Sequence, residues 1–507
     1  MRRNRFHSLV KSAPPLLIIL SSCVWSAAAA DPTETKVTAS DAGLGDRFGS
    51  GVAIAGEYAV IGAQADNDGA GDAGSAYVLD LATAAELRKL HASDAAGSDF
   101  FGCAVAALGD HAVVGALRDD HVAVDAGSAY LFDLTDGTEL RKFTAGDASA
   151  NDWLGNSVAL SPSYVLAGAY KADQSTSIYD SGAAYLFDAA TGTQLFKLTA
   201  SDAGKQDWFG YAVAVSDAYA VVGAPTWDGI GVHANCGAVY VFDVSTGAQI
   251  RRITTPDEGQ EDRFGNALAI SGDTLLVGAY WDGESAPGVA YLFDLSTGEL
   301  IRELVPSEPE GGGDWFGSSV ALSGNYALVG ASQQGYGTEL PGFACVFDIT
   351  TGQELWKLTA SDRANDDNFG VSVAIQGPTA LVAADMNDDN GTNSGSAYFY
   401  EPISPSTGVG AAVAPKRIVP RNHPNPFNPN TEIRFTLPSE ARVSLEIYDV
   451  SGRLRRTLLR GERLAAGEVR AAWEGAGDDG RPLPSGVYFY RIEAGQLRAA
   501  GKMTLVR

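Results

Sequence analysis

The sequence predicts an all-β protein, a seven-bladed β-propeller followed by a small β-sandwich. Three observations predict it. First, Asp46-Arg47-Phe48-Gly49 is followed by Gly62-Ala63, and the pair recurs. Phe-Gly, or a near relative, ends at Gly49, Gly102, Gly155, Gly210, Gly265, Gly317 and Gly370. A small-residue pair begins thirteen positions on, at Gly62, Gly115, Gly168, Gly223, Gly278, Gly330 and Ala383. A period of roughly 53 with strand-like content is the signature of propeller blades. Second, each of the first six copies divides into four strand-length runs. Third, charge and composition change sign near residue 412. Residues 31–412 carry 52 acids and 16 Lys/Arg, whereas residues 413–507 carry 10 acids and 16 Lys/Arg.

In chain order, residues 1–30 read as a signal peptide. Arg2, Arg3, Arg5 and Lys11 form a basic start, Leu16 to Leu20 begin an apolar core, and Ala27 to Ala30 offer a cleavage site. Leu20-Ser21-Ser22-Cys23 offers a second site, of lipoprotein type. The expected location is extracellular, secreted or on the cell surface. No later stretch is apolar for long enough to make a transmembrane helix. A net charge of −26, concentrated in the body of the chain, argues against nucleic acid as a partner. Cys103, Cys236 and Cys345 fall in different copies and do not make a disulfide framework.

Residues 31–402 form the predicted propeller. In the second copy, Cys103 to Leu108, Ala112 to Ala116, Ser128 to Asp133 and Thr138 to Phe143 are the four strands, separated by Gly109-Asp110, a polar loop and Thr135-Asp136-Gly137. The seventh copy lacks its fourth strand. Glu34 to Ser40 matches the tail of that missing strand, so the N-terminus is expected to close blade seven. The copies resemble the FG-GAP repeat, the unit of one β-propeller family, and blade four keeps the full Gly223-Ala224-Pro225 ending.

The repeats separate framework from candidate function. Asp46, Asp99, Asp152, Asp207, Asp262, Asp314 and Asp367 each stand two before the Phe position. Seven equivalent carboxylates serve the blade, as acceptors of backbone N–H groups in the loop entering the first strand. Length varies chiefly between strands two and three, and loops that vary on a fixed scaffold carry binding. That loop shares a face with the loop between blades. Together they supply Phe100, Trp153, Trp208, Trp315, Tyr170, Trp227, Tyr280, Trp281 and Tyr336. The predicted ligand face is Trp153, Trp208, Trp227, Trp281 and Trp315. The alternative is that these rings pack between blades.

Asp66-Asn67-Asp68-Gly69-Ala70-Gly71-Asp72 and Asp385-Met386-Asn387-Asp388-Asp389-Asn390-Gly391 resemble Ca²⁺ loops, in which alternate oxygens converge and Gly permits the turn. The expected Ca²⁺ ligands are Asp66, Asp68, Asp72, Asp385, Asp388 and Asp389. The alternative is a solvated acidic turn, since neither loop keeps the regular D-x-D-x-D-G spacing. The calcium motif of integrin-type FG-GAP repeats does not carry over, because its position reads Ala55-Gly56-Glu57-Tyr58. Catalysis finds no support: there is no HExxH, no G-x-S-x-G and no phosphate loop.

Residues 403–418 read as a Pro/Ser/Gly/Ala linker. Residues 419–507 then open with Asn425-Pro426-Phe427-Asn428-Pro429 and continue as short strands. Thr431–Leu437, Val443–Tyr448 and Val487–Ile492 are predicted strands, with hairpin turns at Asp449 to Arg453 and Asp478 to Arg481. The ordered set of that opening, Tyr448-Asp449-Val450-Ser451-Gly452-Arg453 and Ser485-Gly486-Val487-Tyr488-Phe489-Tyr490 resembles the C-terminal sorting domain of type IX secretion cargo, related to the Ig-like domain of flagellar hook-capping proteins. The resemblance implies an Ig-like sandwich, recognition by secretion machinery and export. The function expected is that of an exported, non-catalytic binding protein with an unknown extracellular protein or glycan as partner. The alternatives are a carbohydrate-binding propeller and a secreted hydrolase or lyase.

Overall fold

Phe48–Ala55, Tyr58–Ala63, Ser75–Asp80 and Glu86–Leu90 form one antiparallel four-stranded sheet, paired in chain order. The computed structural model repeats this sheet seven times. It describes residues 31–68, 70–229, 234–255, 261–281, 288–309, 314–332, 341–403, 421–423, 427–437, 441–465, 467–495 and 497–507. The expected signal peptide at residues 1–30, Tyr336 and residues 404–420 of the expected linker and tail lie outside the described residues. Ile403, read from composition as the head of the linker, belongs with blade seven. It is fully buried, and its carbonyl accepts the Trp356 indole N–H at 2.7 Å.

Burial along each strand follows its place in the blade. The second strand of blade one, Tyr58–Ala63, is buried on both faces, because neighbouring blades cover both. That is why it reads as an unbroken apolar run rather than an alternation. The fourth strand, Glu86–Leu90, is the least buried of the four and correspondingly charged. The cores lie between blades: Val60, Val78 and Leu90 of blade one cluster with Phe101, Val114 and Tyr130 of blade two.

The thirteen-residue spacing has a direct cause. Phe48 pairs with Ala63 across a hairpin, so Phe-Gly and Gly-Ala end up side by side. Gly-Ala of one blade then meets Phe-Gly of the next. A Cβ on Gly62 would lie 2.0 Å from the carbonyl oxygen of Gly102, and a Cβ on Gly115 1.9 Å from that of Gly155. The two motifs are the two halves of one backbone contact, repeated around the ring. At the junction of blades seven and one the small residue is Ala383, which faces Gly49.

Blade seven is built from Phe369–Gln376, Thr379–Ala384, Ser396–Glu401 and the N-terminal strand Thr33–Val37. The last two pair antiparallel, with Lys36 opposite Tyr398. A parallel bridge from Phe48 to Gly395 joins blades one and seven.

The C-terminal unit has its own core. One sheet holds Arg421–His423, Thr431–Leu437 and Gly467–Trp473. The other holds Leu454–Leu464, Ala441–Asp449, Gly486–Ala494 and Leu497–Leu505. Phe427 is buried against Trp473 at 5.3 Å, which explains the Phe of the opening motif. The Asp449 carboxylate accepts the backbone N–H groups of Ser451 and Arg453 and shapes the hairpin.

Candidate ligand-binding face

In five blades the loop into the first strand is held by the repeated Asp, which accepts the N–H of Gly43, Ala96, Ser149, Gly204 or Ala364. Asp99 accepts the Ala96 N–H at 2.7 Å, and Asp152 accepts that of Ser149 at 2.7 Å. All seven are buried. Burial raises the carboxyl pKa of Asp99 and Asp207 to about 6, against the opposing hydrogen bonds from Ala96 and Gly204.

The residue between this Asp and the Phe position takes the left-handed conformation in every blade. Arg47, Phe100, Trp153, Trp208, Arg263, Trp315 and Asn368 have φ between 50° and 63°. Left-handed backbone costs a bulky L-residue about 1–2 kcal/mol, and Gly or Asn fills such a place more readily. The conformation is enforced by the neighbouring blade. The N–H of Phe100 bonds to the Asp72 carbonyl, that of Trp153 to Asp125 and that of Trp208 to Asp180. Those acceptors are themselves left-handed, with φ of 54°, 52° and 50°.

The result is a connected arc of rings and cations. Arg118 lies over Phe100 at 4.9 Å and over Trp153 at 5.1 Å. Lys171 lies over Trp153 at 5.9 Å, Tyr170 at 5.4 Å and Trp208 at 5.2 Å. Tyr170 touches Trp153, Trp208 and Tyr211, and Arg263 lies over Trp208 at 5.9 Å. Tyr280 and Trp281 pack on Trp315 at 5.2 and 6.5 Å. These rings are half-buried. The indole N–H groups of Trp153, Trp208 and Trp315 and Nε of Arg118 are buried and have no acceptor.

Of the five expected face residues, Trp153, Trp208, Trp281 and Trp315 lie in this arrangement. Trp227 does not. It is 5% exposed within the core shared by blades three and four, beneath Arg252. It follows the Pro of Gly-Ala-Pro, and its loop turns inward. Arg118, Lys171, Arg263 and Tyr211 were not foreseen. Arg118 and Lys171 stand two places after their Gly-Ala pairs, and Arg263 belongs to the same column as the Trp residues. Tyr211 also lines an axial cavity of about 310 Å³ formed by the first strands of all seven blades. That wall is knitted by bonds from one blade to the next, such as Ser50 Oγ to the Gly102 carbonyl and Ser319 Oγ to that of Gly370.

The acidic loops are arranged around a protein cation. Asp66 and Asp68 converge, together with Asp41, on Nζ of Lys89 at 2.6, 2.5 and 2.7 Å. The Tyr77 hydroxyl donates to Asp41 and Asp66 at 2.7 and 2.9 Å. Burial alone would raise the Asp66 carboxyl, but Lys89, Ser75 and Tyr77 hold it below the usual carboxylate range. Burial would lower the Lys89 ammonium, but the three carboxylates hold it above its ordinary value. Asp72 is not part of the cluster. Its carbonyl receives Phe100, and its N–H bonds to Asn67.

The second loop disperses its carboxylates. Asp385 is buried and accepts the Asn368 amide at 2.6 Å, and its pKa is raised by burial. Asp388 accepts the Asn393 N–H, and Asp389 pairs with Lys36. The same device recurs: Lys142 joins Asp94 and Asp119, and Lys36 joins Asp362 and Asp389. Where the sequence suggests Ca²⁺, the oxygen ligands of the first loop face an ammonium, which a calcium ion would have to displace.

Seven four-stranded blades and a separate small β-domain define the class of the protein. FG-GAP repeats match residues 33–79, 85–132, 138–187, 193–242, 248–293, 301–344 and 353–400, so the chain belongs to the FG-GAP repeat family. Each match begins at or near the outer strand of one blade and runs through the next three strands. The FlgD Ig-like domain matches residues 427–497. No curated protein matches the chain significantly. Among solved structures, the crystal structure of RRP9 WD40 repeats is similar at 11% identity and a TM-score of 0.50. The match covers 74% of this chain and 99% of that one, and it speaks for the propeller fold alone.

Proposed function

We propose that this protein is an exported, non-catalytic binding module that holds an extracellular protein or glycan on its aromatic arc. One observation carries the reading. Phe, Trp and Arg occupy left-handed positions where Gly would be less strained, and their side chains meet along one face. Strained backbone of this kind collects at functional sites, and Trp, Tyr and Arg are the side chains that dominate binding energy. An FG-GAP propeller joined to an Ig-like domain is consistent with an interaction protein. The test is a glycan array probed with wild type and Trp153→Ala/Trp208→Ala. Binding by wild type that the double variant loses, at unchanged melting temperature, supports the reading. Binding that survives the double variant overturns it.

The proposal extends to residues 419–507 as a type IX export address, and to residues 1–30 as the signal for the first membrane. The support is the ordered motifs of the tail and the change of charge sign at the linker. Fractionation of cells expressing the chain with and without residues 419–507 decides it. Equal surface delivery of the truncated chain would make the domain an accessory sandwich.

A further inference from the structure

Granted that the arc is the recognition face, the geometry points to an acidic polysaccharide, with carboxylates on its sugar rings, as the ligand it takes. The body of the propeller is strongly acidic, and Lys36, Lys89, Lys142, Lys197 and Arg252 are neutralised by aspartates. Arg118 and Arg263 differ. Neither forms an ion pair among the described residues, and both lie against rings of the arc. Guanidiniums stacked on aromatic rings are held in place with little entropy left to lose, and they match carboxylates bidentately.

The buried unpartnered polar atoms on the rings and cations of the arc are all donors. Arg118 Nε and the three indole N–H groups are donors without acceptors, and neither group can accept. Lys171 also lies in the arc, but Asp180 pairs with it at 3.2 Å, so the unpaired cations are Arg118 and Arg263. The complement is a ligand rich in anionic oxygen.

The order along the arc narrows the class. Phe100, Arg118, Trp153, Lys171, Trp208 and Arg263 alternate ring and cation, and each of the first two cations is shared by rings of adjoining blades. A linear polyuronate repeats the same alternation, an apolar ring face and one carboxylate per unit. An acidic peptide has no such fixed period.

Calorimetric titration of the full chain with oligogalacturonate, its fully methyl-esterified form and polyglutamate tests the inference. The acid form is expected to bind, with the ester and polyglutamate weaker by at least about tenfold. Arg118→Gln and Arg263→Gln should each weaken binding about tenfold, the scale of one charge-assisted hydrogen bond. Arg118→Lys should fall between Arg118→Gln and wild type. Should Arg118→Gln melt early, Arg263→Gln, which touches Trp208 alone among the rings, carries the comparison. Equal binding of acid and ester, lost in Trp208→Gly, would overturn the acidic ligand while keeping the arc as the face. Polyglutamate binding as tightly as the uronate would make the ligand a peptide. Silence of all three probes, or unchanged affinity in the Arg variants, would also overturn the inference.

Discussion

Lys89→Met removes the cation from the best-defined charged cluster, where the ammonium also lies 5.0 Å from the Tyr77 ring centroid, and keeps most of the aliphatic stem. The side chain of Lys89 is 14% exposed and that of Asp66 6%, whereas those of Asp41 and Asp68 are 43% and 56% exposed. The two exposed carboxylates rehydrate, and each such pair is worth at most about 1 kcal/mol. The cost therefore falls on Asp66, left buried without its cation. Breaking a buried pair costs about 3–5 kcal/mol. Tyr77 still donates to Asp66, so about 2–3 kcal/mol is the expected loss. Far-UV circular dichroism melts of the full chain read it as a lower melting temperature. The variant also leaves three carboxylate oxygens within 4.8 Å of one another with no ammonium between them. Calcium at a hundredfold excess over Kd would then restore about 2.7 kcal/mol. Wild type should gain far less, because calcium must first expel Lys89. A variant that melts with wild type would refute the electrostatic reasoning. An equal calcium gain in both proteins would show that the loop binds the ion with the lysine in place.

Deleting residues 32–38 removes the outer strand of blade seven, with the Lys36 ion pairs and the Glu34 bonds to Ser361 and Tyr400. The expected result is a lower melting temperature or aggregation through the exposed edge, checked by light scattering during a melt. Gly62→Ala drives a methyl into the Gly102 carbonyl and should cost about 3 kcal/mol or more in melts, against about 1–2 kcal/mol for Gly109→Ala, which meets no atom within 4 Å and is opposed only by its φ of 57°. Asp99 titrates in the opposite sense to the lysine-paired aspartates. Its folded pKa is raised by burial to about 6, so its stabilising contribution is complete at acid pH and is lost as pH rises through 6. Asp99→Asn should therefore gain on wild type by about 1–2 kcal/mol between about pH 4 and pH 8 in denaturant titrations. The lysine-paired clusters lose their contribution only as pH falls below about 4.

The blades were legible because their signature is backbone contact. Only Gly, or at one junction Ala, fits where Gly62 meets Gly102, and the motif repeats wherever blades touch. The role of the repeated Asp followed from the same repetition. The arc was legible as a set of aromatic residues, but not as to which of them face outward. Trp227 and Trp281 both follow a Gly-Ala pair in the loop between strands two and three, yet Trp227 is buried in the core and Trp281 packs on Trp315. The left-handed column was hidden because Trp and Phe ordinarily argue against that conformation, and inter-blade hydrogen bonds override the preference. The lysine in the acidic loop was hidden by distance. Lys89 is 21 positions from Asp68 and 48 from Asp41, and strand order alone brings them together. In the C-terminal unit, Leu454–Leu464 lacks clean alternation because its pairing shifts register three times.

Trp208→Gly tests most directly whether the arc is a recognition surface or inter-blade packing. At φ of 56°, Gly relieves about 1–2 kcal/mol of backbone strain and offsets part of the lost ring contacts with Tyr170 and Tyr211. Wild type and variant are compared by melting temperature and on the same glycan array. A melting temperature within a few degrees of wild type, with glycan binding lost, is the predicted result. A large fall in melting temperature with binding intact would contradict it and return Trp208 to the core.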